Sequence, residues 1–242
     1  MDFEAMAQAI SEIHRRTRTG ALRAVNVALT CRNWLIGAYI HEYELRGQDR
    51  AEYGERLFDR LAQRLAALSV PNCNRSRLYR YRDLYRLYPQ IGEALPGAYD
   101  TLRPPTLASA PNSVATPLPQ SSAGKVATLS PLSGQFVLER LSYSHLELLI
   151  EIDDPLKRAF YEIECLHGNW SVRELKRQMA SLYFERSGLS RDKERLSELA
   201  NAAALQAEPA HIVRDPYVFE FLGLRPQEVL PESQLEAALI DK

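Results

Sequence analysis

The chain has 242 residues, of which 45% are hydrophobic, so it is long enough to bury one large or two small cores and a globular protein is expected. It contains no run of about 18 or more apolar residues, and its acidic, amphipathic start is unlike a signal peptide. We therefore predict a cytoplasmic protein with no membrane segment. Cys31, Cys73 and Cys165 are widely spaced and form no C-x-x-C pair, which argues against a disulfide framework and a zinc knuckle.

The formal net charge of −1 conceals an uneven distribution of charge. Residues 1–90 hold 15 Lys and Arg against 10 Asp and Glu, residues 91–190 hold 9 against 11, and residues 191–242 hold 6 against 10. A basic first part with an acidic end permits contact with a polyanion through one face. Such a surplus is nevertheless common among proteins that bind no polyanion.

Two apolar stripes predict the first two helices. The first stripe has helical spacings of three, four and seven residues, and comprises Leu22, Val25, Leu29, Ile36 and Ile40. Gly47 follows it as the predicted end of the helix. The second precedes a break at Pro71, and comprises Leu57, Leu61, Leu65 and Leu68.

The next stretch, "NRSRLYRYRDLYRLYP" at residues 74–89, combines five arginines with four tyrosines. On a helical wheel one face is expected to pack on the preceding leucine helix, and comprises Leu78, Tyr81, Leu84, Tyr85 and Tyr88. The other face comprises Arg75, Tyr79, Arg82 and Arg86. Three guanidinium groups around a phenol could contact phosphates and purine edges. The alternative is an ordinary solvent-exposed face, because Arg is a good helix former.

Residues 97–134 are rich in Pro, Ser, Thr, Ala and Gly and have neither a helical nor a strand period. We predict a flexible linker or long exposed loop there. It would join an N-terminal helical subdomain, residues 1–96, to a second helical subdomain with an acidic end, residues 135–242.

The second subdomain repeats the pattern of helix, short break and basic helix. Pro155 is suited to the first turn of one helix, and Ser171 with Glu174 matches the capping box of the next. The predicted buried stripe of that last helix comprises Val172, Leu175, Met179 and Leu182. Its basic face comprises Arg173, Lys176 and Arg177. The expected fold is mainly α-helical, with two helix-turn-helix or winged-helix-like subdomains.

Many metal-dependent nucleases share a signature of carboxylates and a lysine. A similar set of residues occurs here, namely Asp153, Asp154, Glu174 and Lys176. That chemistry requires the groups to converge, whereas Glu174 is better explained as the capping partner of Ser171. We find no other active-site pattern, and we expect no metal, cofactor or catalytic residue.

The sequence resembles the N-terminal region of the YhcG-like family of bacterial proteins over most of residues 21–240. The motifs that carry the resemblance are Ile36-Gly37, Arg50-Ala51, Tyr53-Gly54, Leu141-Ser142, Ser144-His145, Arg158, Phe160-Tyr161 and Trp170-Ser171-Val172-Arg173-Glu174-Leu175. The resemblance implies a helical, winged-helix-like DNA-binding domain joined to a C-terminal nuclease domain of the PD-(D/E)XK type. That nuclease domain would follow the segment that ends here at Lys242, so its residues have no positions in this sequence.

These observations lead to one hypothesis and one alternative. The chain is expected to be a non-catalytic DNA-binding module of a nuclease system, with contacts from the two basic helix faces. The alternative is a protein-interaction module, in which faces rich in Tyr and Arg pair with a nuclease subunit or a second copy of the chain.

Overall fold

The computed structural model describes residues 2–45, 54–105 and 132–187. Helices account for most of these ranges, which contain no strand, so the prediction of a mainly helical protein is confirmed. The helices before the gap are α1 (Phe3–Leu45), α2 (Gly54–Ala67) and α3 (Arg75–Leu87), followed by 3₁₀ helices at Pro89–Ala94 and Gly97–Leu102. The helices after the gap are α4 (Gly134–Arg140), α5 (Tyr143–Leu149), α6 (Pro155–His167), α7 (Val172–Ala180) and α8 (Tyr183–Arg186).

The first helix begins at Phe3, well before the apolar stripe that starts at Leu22. The stop predicted at Gly47 lies outside the described residues, as do the predicted elements beyond residue 187. No helix within the described ranges has both the length and the hydropathy needed to cross a bilayer.

Helix α3 packs chiefly against α1. A Cβ at Gly37 of α1 would overlap the Tyr81 carbonyl oxygen, so the close approach of the two helices requires glycine there. The Trp34 indole N–H donates to the Tyr88 carbonyl at 2.9 Å. These contacts place α3 alongside the second half of α1.

The predicted packing face of α3 is confirmed at its four buried positions, Leu78, Tyr81, Leu84 and Tyr88. Tyr85 is only partly buried, and its ring lies 4.9 Å from the ring of Trp34. The main partner of α3 is α1, which the sequence did not indicate, while α2 makes the smaller contact and its Leu57, Leu61 and Leu65 are packed against the same core. Periodicity marks which face of a helix is buried and does not identify its partner.

Helices on both sides of residues 106–131 contribute to one buried cluster. The Asn26 amide of α1 donates to the Leu141 carbonyl at 3.2 Å and accepts from the Tyr143 N–H at 3.1 Å. The Tyr88 hydroxyl donates to the Glu162 carboxylate at 2.6 Å. The predicted subdomain boundaries stay a prediction, and any division of the chain must accommodate this shared core.

Both ends of the predicted linker have defined structure. Gly97–Leu102 forms a 3₁₀ helix, Leu132 is buried, and Gly134 begins α4. A Cβ at Gly134 would overlap the Gln90 carbonyl oxygen, so α4 starts directly against the first 3₁₀ helix. The linker at residues 97–134 stays a prediction, and the short helical turns at its ends escaped the sequence pattern because one short turn of helix needs no apolar period. Residues 106–131 lie outside the described ranges.

The fully buried His145 connects α5 to the start of α7. Its Nδ1 lies 2.7 Å from the Ser142 hydroxyl, and its Nε2 lies 3.0 Å from the Trp170 carbonyl oxygen. A carbonyl only accepts, so Nε2 carries the proton and the Ser142 hydroxyl donates to Nδ1. Three of the motifs that suggested a family thus hold the fold together.

The cysteines Cys31, Cys73 and Cys165 are free and buried, as expected of small apolar side chains. Burial raises the pKa of the Cys31 thiol to about 12, so this group stays neutral near pH 7.

Candidate nucleic-acid interface

The start of α3 is held by local backbone structure. The connection from α2 includes Ser69 and Asn72 in left-handed conformations, with φ of 57° and 61°. Asn74 then caps α3, because its side-chain oxygen accepts from the Arg77 N–H at 3.0 Å. Arg32 of α1 donates to the Pro71 carbonyl at 2.8 Å. This connection is longer than the turn of about three to four residues in a helix-turn-helix.

Tyr79 of α3 is engaged by α2. Its ring stacks on Phe58, with ring centroids 3.7 Å apart and planes 13° from parallel. Phe58 itself is buried. The predicted site residue Tyr79 is therefore half-buried, and its ring forms part of the α2–α3 contact.

Arg82 is held by its own chain on several sides. Its guanidinium pairs with Asp83 at 3.0 Å and with Glu44 of α1 at 3.3 Å, and its side chain is only 19% exposed. It also lies over the Tyr79 and Phe58 rings, at 5.1 and 5.4 Å from their centroids. Burial acts to lower the pKa of Arg82, because it disfavours the charged guanidinium. The carboxylates of Asp83 and Glu44 outweigh this effect, so the pKa of Arg82 is raised.

Arg75 and Arg86 are the more accessible members of the predicted α3 face. The Arg75 side chain is 51% exposed and pairs with Asp59 of α2 at 3.2 Å. Arg86 is exposed and forms no ion pair with any residue that the structure describes. It lies near His41, whose pKa is lowered by burial and then by Arg86. The face therefore divides into two accessible arginines and two residues held by packing.

The sequence pattern did not reveal the role of Arg80. Its guanidinium donates to Glu147 of α5 at 2.9 Å and to Glu151 just beyond α5 at 2.8 Å. These carboxylates lie about 70 positions later in the chain, so only the tertiary structure could identify them. Arg80 joins the two parts of the molecule.

The connection between α6 and α7 has the length of a helix-turn-helix turn. Asp154 caps α6, and its carboxylate accepts from the Leu156 N–H at 2.8 Å. After His167 only residues 168–171 precede α7, and they include Asn169 in the left-handed conformation. The Ser171 hydroxyl accepts from the Glu174 N–H at 3.2 Å, which confirms Ser171 as the helix cap.

Helix α7 is anchored by one fully buried side chain, Leu175. Val172 and Met179 are partly buried. Leu182 was wrongly placed in this stripe, because α7 ends at Ala180 and Leu182 lies beyond it, left-handed and 54% exposed. The rest of α7 is available to face solvent.

The predicted basic residues of α7 are all exposed, namely Arg173, Lys176 and Arg177. Arg177 pairs with Glu174 at 2.6 Å, which raises the pKa of Arg177 and lowers that of Glu174. Arg173 and Lys176 make no ion pair within the described part of the chain. Helix α7 thus presents two unpaired cations and a third that is paired only with its own helix.

The nuclease-like carboxylates have structural roles. The Asp154 carboxylate caps α6, while the Glu174 carboxylate binds Arg177 and Gln178 instead of completing a capping box with the Ser171 N–H. Among the described residues, no group of three or more His, Cys, Asp or Glu side chains could hold a metal ion.

Comparison with known proteins identifies the family. The family model described as "DUF1016 N-terminal domain" matches residues 9–98 and 127–186, more than half of the chain. The chain is also similar to "Putative nuclease YhcG" of Escherichia coli (strain K12), with 32% identity over 245 residues. That alignment covers 99% of this chain and 60% of the relative. No solved structure matches the chain. The resemblance seen in the sequence is therefore confirmed, and the chain belongs to the DUF1016 N-terminal domain family.

Proposed function

We propose that the chain is the DNA-binding module of a nuclease system. In this proposal α6, residues 168–171 and α7 form a helix-turn-helix, and α7 is the helix that enters the major groove. The observation that carries the proposal is the exposure of Arg173, Lys176 and Arg177 on a helix whose inner side is anchored by Leu175.

The surroundings of α7 support this assignment. Helix α5 contacts both α6 and α7, as a helix-turn-helix domain of three helices requires of its first helix. The bond from His145 to the Trp170 carbonyl holds the connection immediately before α7. Arg173 lies in the first turn of α7, the part of a recognition helix that contacts base edges. The winged-helix version of the proposal also requires a small β-hairpin, which the described residues do not contain.

The α3 face has a narrower role in this proposal. Arg75 and Arg86 are accessible and would contact phosphates. Tyr79 and Arg82 would position α3, since both are engaged in packing against α2 or α1. For the same reason, the Tyr79 and Arg82 face is a poor docking site for another protein.

The similarity to YhcG, which is named a nuclease, supports the placement of this module in a nuclease system. The described residues would then contribute recognition, and cleavage would belong to another part of that system. Asp154 and Glu174 support this division, because their carboxylates are already used as a cap and an ion-pair partner. The expected location is the cytoplasm, where bacterial DNA is found.

The proposal is tested by fluorescence anisotropy with labelled duplex DNA and single-stranded RNA over a range of salt concentrations. The triple variant Arg173→Ala, Lys176→Ala, Arg177→Ala removes three positive charges from α7. A triple variant at Arg15, Arg18 and Arg64 removes three exposed charges elsewhere and serves as the matched control.

We expect tight, salt-dependent binding of duplex DNA by the wild type and the control. The α7 variant should bind more weakly, with a log–log salt slope smaller by about 2 to 3, because each phosphate contact contributes about 0.9 to the slope. Equal binding by the α7 variant and the control would exclude α7 as the recognition helix. Preference for the RNA would exclude DNA as the ligand.

A further inference from the structure

The first part of α1 extends away from the core. No residue from Phe3 to Gly20 is buried, and the first buried side chain of the helix is Leu22. An α-helix rises about 1.5 Å per residue, so these residues form an extension of roughly 27 Å. The extension lacks the tertiary packing that supplies most of the stability of a helix in a protein. A partner would therefore stabilise the extension.

Four large apolar side chains lie in line along this extension. They are Phe3, Met6, Ile10 and Ile13, with exposures of 77%, 39%, 60% and 63%, and we call them the N-terminal stripe. Their intervals of three, four and three residues are the a and d positions of a heptad repeat. Single exposed apolar residues are common, but an aligned set on one helix face is typical of a helix-pairing surface.

We propose that the N-terminal stripe is a dimer seam, which pairs with the same stripe of a second copy of this chain in antiparallel orientation. The pairing is isologous, because the same surface is used by both copies around a two-fold axis, and it closes at a dimer.

One register matches all the apolar positions. When Phe3 faces Ile13 of the second copy, Met6 faces Ile10 of the second copy. By symmetry, every member of the stripe then meets an apolar side chain. A shift by one heptad would instead place Phe3 against Gly20 and Met6 against Thr17 of the second copy. The first register buries more apolar surface, so it is favoured.

The charges beside the stripe favour the same orientation. Asp2 precedes α1 and accepts from the Ala5 N–H at 2.7 Å, and Arg16 pairs with Glu12 of its own helix. In the heptad pattern Asp2 and Arg16 lie on the same side of the stripe, two heptads apart and at its opposite ends. Antiparallel pairing in the register above brings Asp2 of one copy beside Arg16 of the other. Parallel pairing instead places Asp2 beside Ala7, and Arg16 beside Ala21, of the second copy. The antiparallel arrangement also opposes the two helix dipoles.

This surface is separate from the proposed DNA contacts. The stripe lies at the start of α1, whereas the candidate contacts lie on α3 and α7. A dimer would carry two copies of each basic face. Dimerisation and DNA binding can therefore be tested independently.

The association is measured by sedimentation equilibrium on the full 242-residue chain. Ile10→Asp places a charge in the seam, and Ser11→Asp places the same charge on the adjacent, off-stripe position of the same helix. Both positions are exposed, so both variants should still fold. We expect a dimer for the wild type and Ser11→Asp, and a dimer at least about tenfold weaker for Ile10→Asp.

Disulfide trapping tests the orientation. Two cysteines form a disulfide only when their Cα atoms lie within about 7 Å. A mixture of Phe3→Cys and Ile13→Cys chains should therefore cross-link under mild oxidation, whereas Ile13→Cys alone should not. The native cysteines are buried and should not interfere.

The proposal is overturned by a monomeric wild type at about 100 µM, or by equal association of the Ile10→Asp and Ser11→Asp variants. Cross-linking of Ile13→Cys with itself would overturn the antiparallel orientation. A monomeric Ile10→Cys variant whose new thiol resists alkylation would show instead that the chain covers its own stripe, and would also overturn the dimer.

Discussion

Tyr79 of α3 lies flat on Phe58 of α2, with ring centroids 3.7 Å apart. This contact joins the two helices, and Arg82 lies over both rings. A tyrosine within an arginine-rich stretch is therefore used for packing. The consequences for stability and for DNA binding can be separated by substitution.

Tyr79→Ala should lower the free energy of unfolding by about 2 kcal/mol, less than for a fully buried aromatic ring, because the Tyr79 side chain is half-buried. Tyr79→Phe should retain the stacking and most of the stability. Urea denaturation measures both variants. A destabilisation by Tyr79→Phe equal to that by Tyr79→Ala would show that the hydroxyl, and not the ring, makes the important contact.

Gly37→Ala should be destabilising by about 2 kcal/mol or more, because the new Cβ would overlap the Tyr81 carbonyl and separate α1 from α3. Gly20→Ala is the matched control on the same helix, where no atom lies within 4 Å of the added Cβ. The control should raise stability by up to about 1 kcal/mol through helix propensity. Thermal unfolding compares the two, and similar effects would contradict the close α1–α3 contact.

Arg80 and Arg86 lie on the same helix and should respond in opposite ways. Arg80→Ala loses the pairing with Glu147 and Glu151 and should cost about 1 kcal/mol of stability while DNA affinity is retained. Arg86→Ala should leave stability unchanged and reduce the salt slope of DNA binding by about 1. Urea denaturation and anisotropy on both variants test this difference. Equal loss of DNA affinity in both would indicate a non-specific charge effect.

Asn26→Ala should be among the most damaging single substitutions. It leaves the Leu141 carbonyl and the Tyr143 N–H without their amide partner, at a cost of roughly 3 kcal/mol. Asn26→Asp keeps an acceptor for Tyr143 but removes the donor to Leu141, so we expect it to be destabilising as well. Urea denaturation of both variants gives the values, and a neutral Asn26→Ala would contradict this role.

Stability should also fall in alkaline solution because of Cys31. Its pKa is raised by burial from 9.0 to about 12, so the folded state retains a proton that the unfolded state loses. This contribution is complete below about pH 9 and decreases by up to about 1.4 kcal/mol per pH unit until about pH 12. The alkaline slope of the unfolding free energy should therefore be smaller in Cys31→Ala than in the wild type. Parallel curves for the two proteins would contradict the buried thiol as the cause.

The sequence predicted local features well. The buried positions Leu78, Tyr81 and Leu84 follow the period of a helix, and Ser171 has the side chain and position of a helix cap. These features depend on residues within one or two turns of each other. The N-terminal stripe was not among these predictions, and only the structure showed that it lies outside the core.

Longer-range relationships required the tertiary structure. The helical wheel placed four residues on one basic face of α3, namely Arg75, Tyr79, Arg82 and Arg86. In the structure Tyr79 stacks on Phe58, and Arg82 pairs with Glu44. These partners lie on α2 and α1, and no local pattern in α3 specifies them. For the same reason α1 proved to be the main partner of α3.

The amino-acid sequence by itself determined the helical class, the buried face of α3, the cap of α7 and the family motifs, because these follow from neighbouring side chains and backbone groups. Only the tertiary structure decided which arginines remain accessible, that Asn26 and Arg80 join the two parts of the molecule, and that the start of α1 extends beyond the core. Those properties depend on which helices pack together, and that choice is made by side chains far apart in the chain.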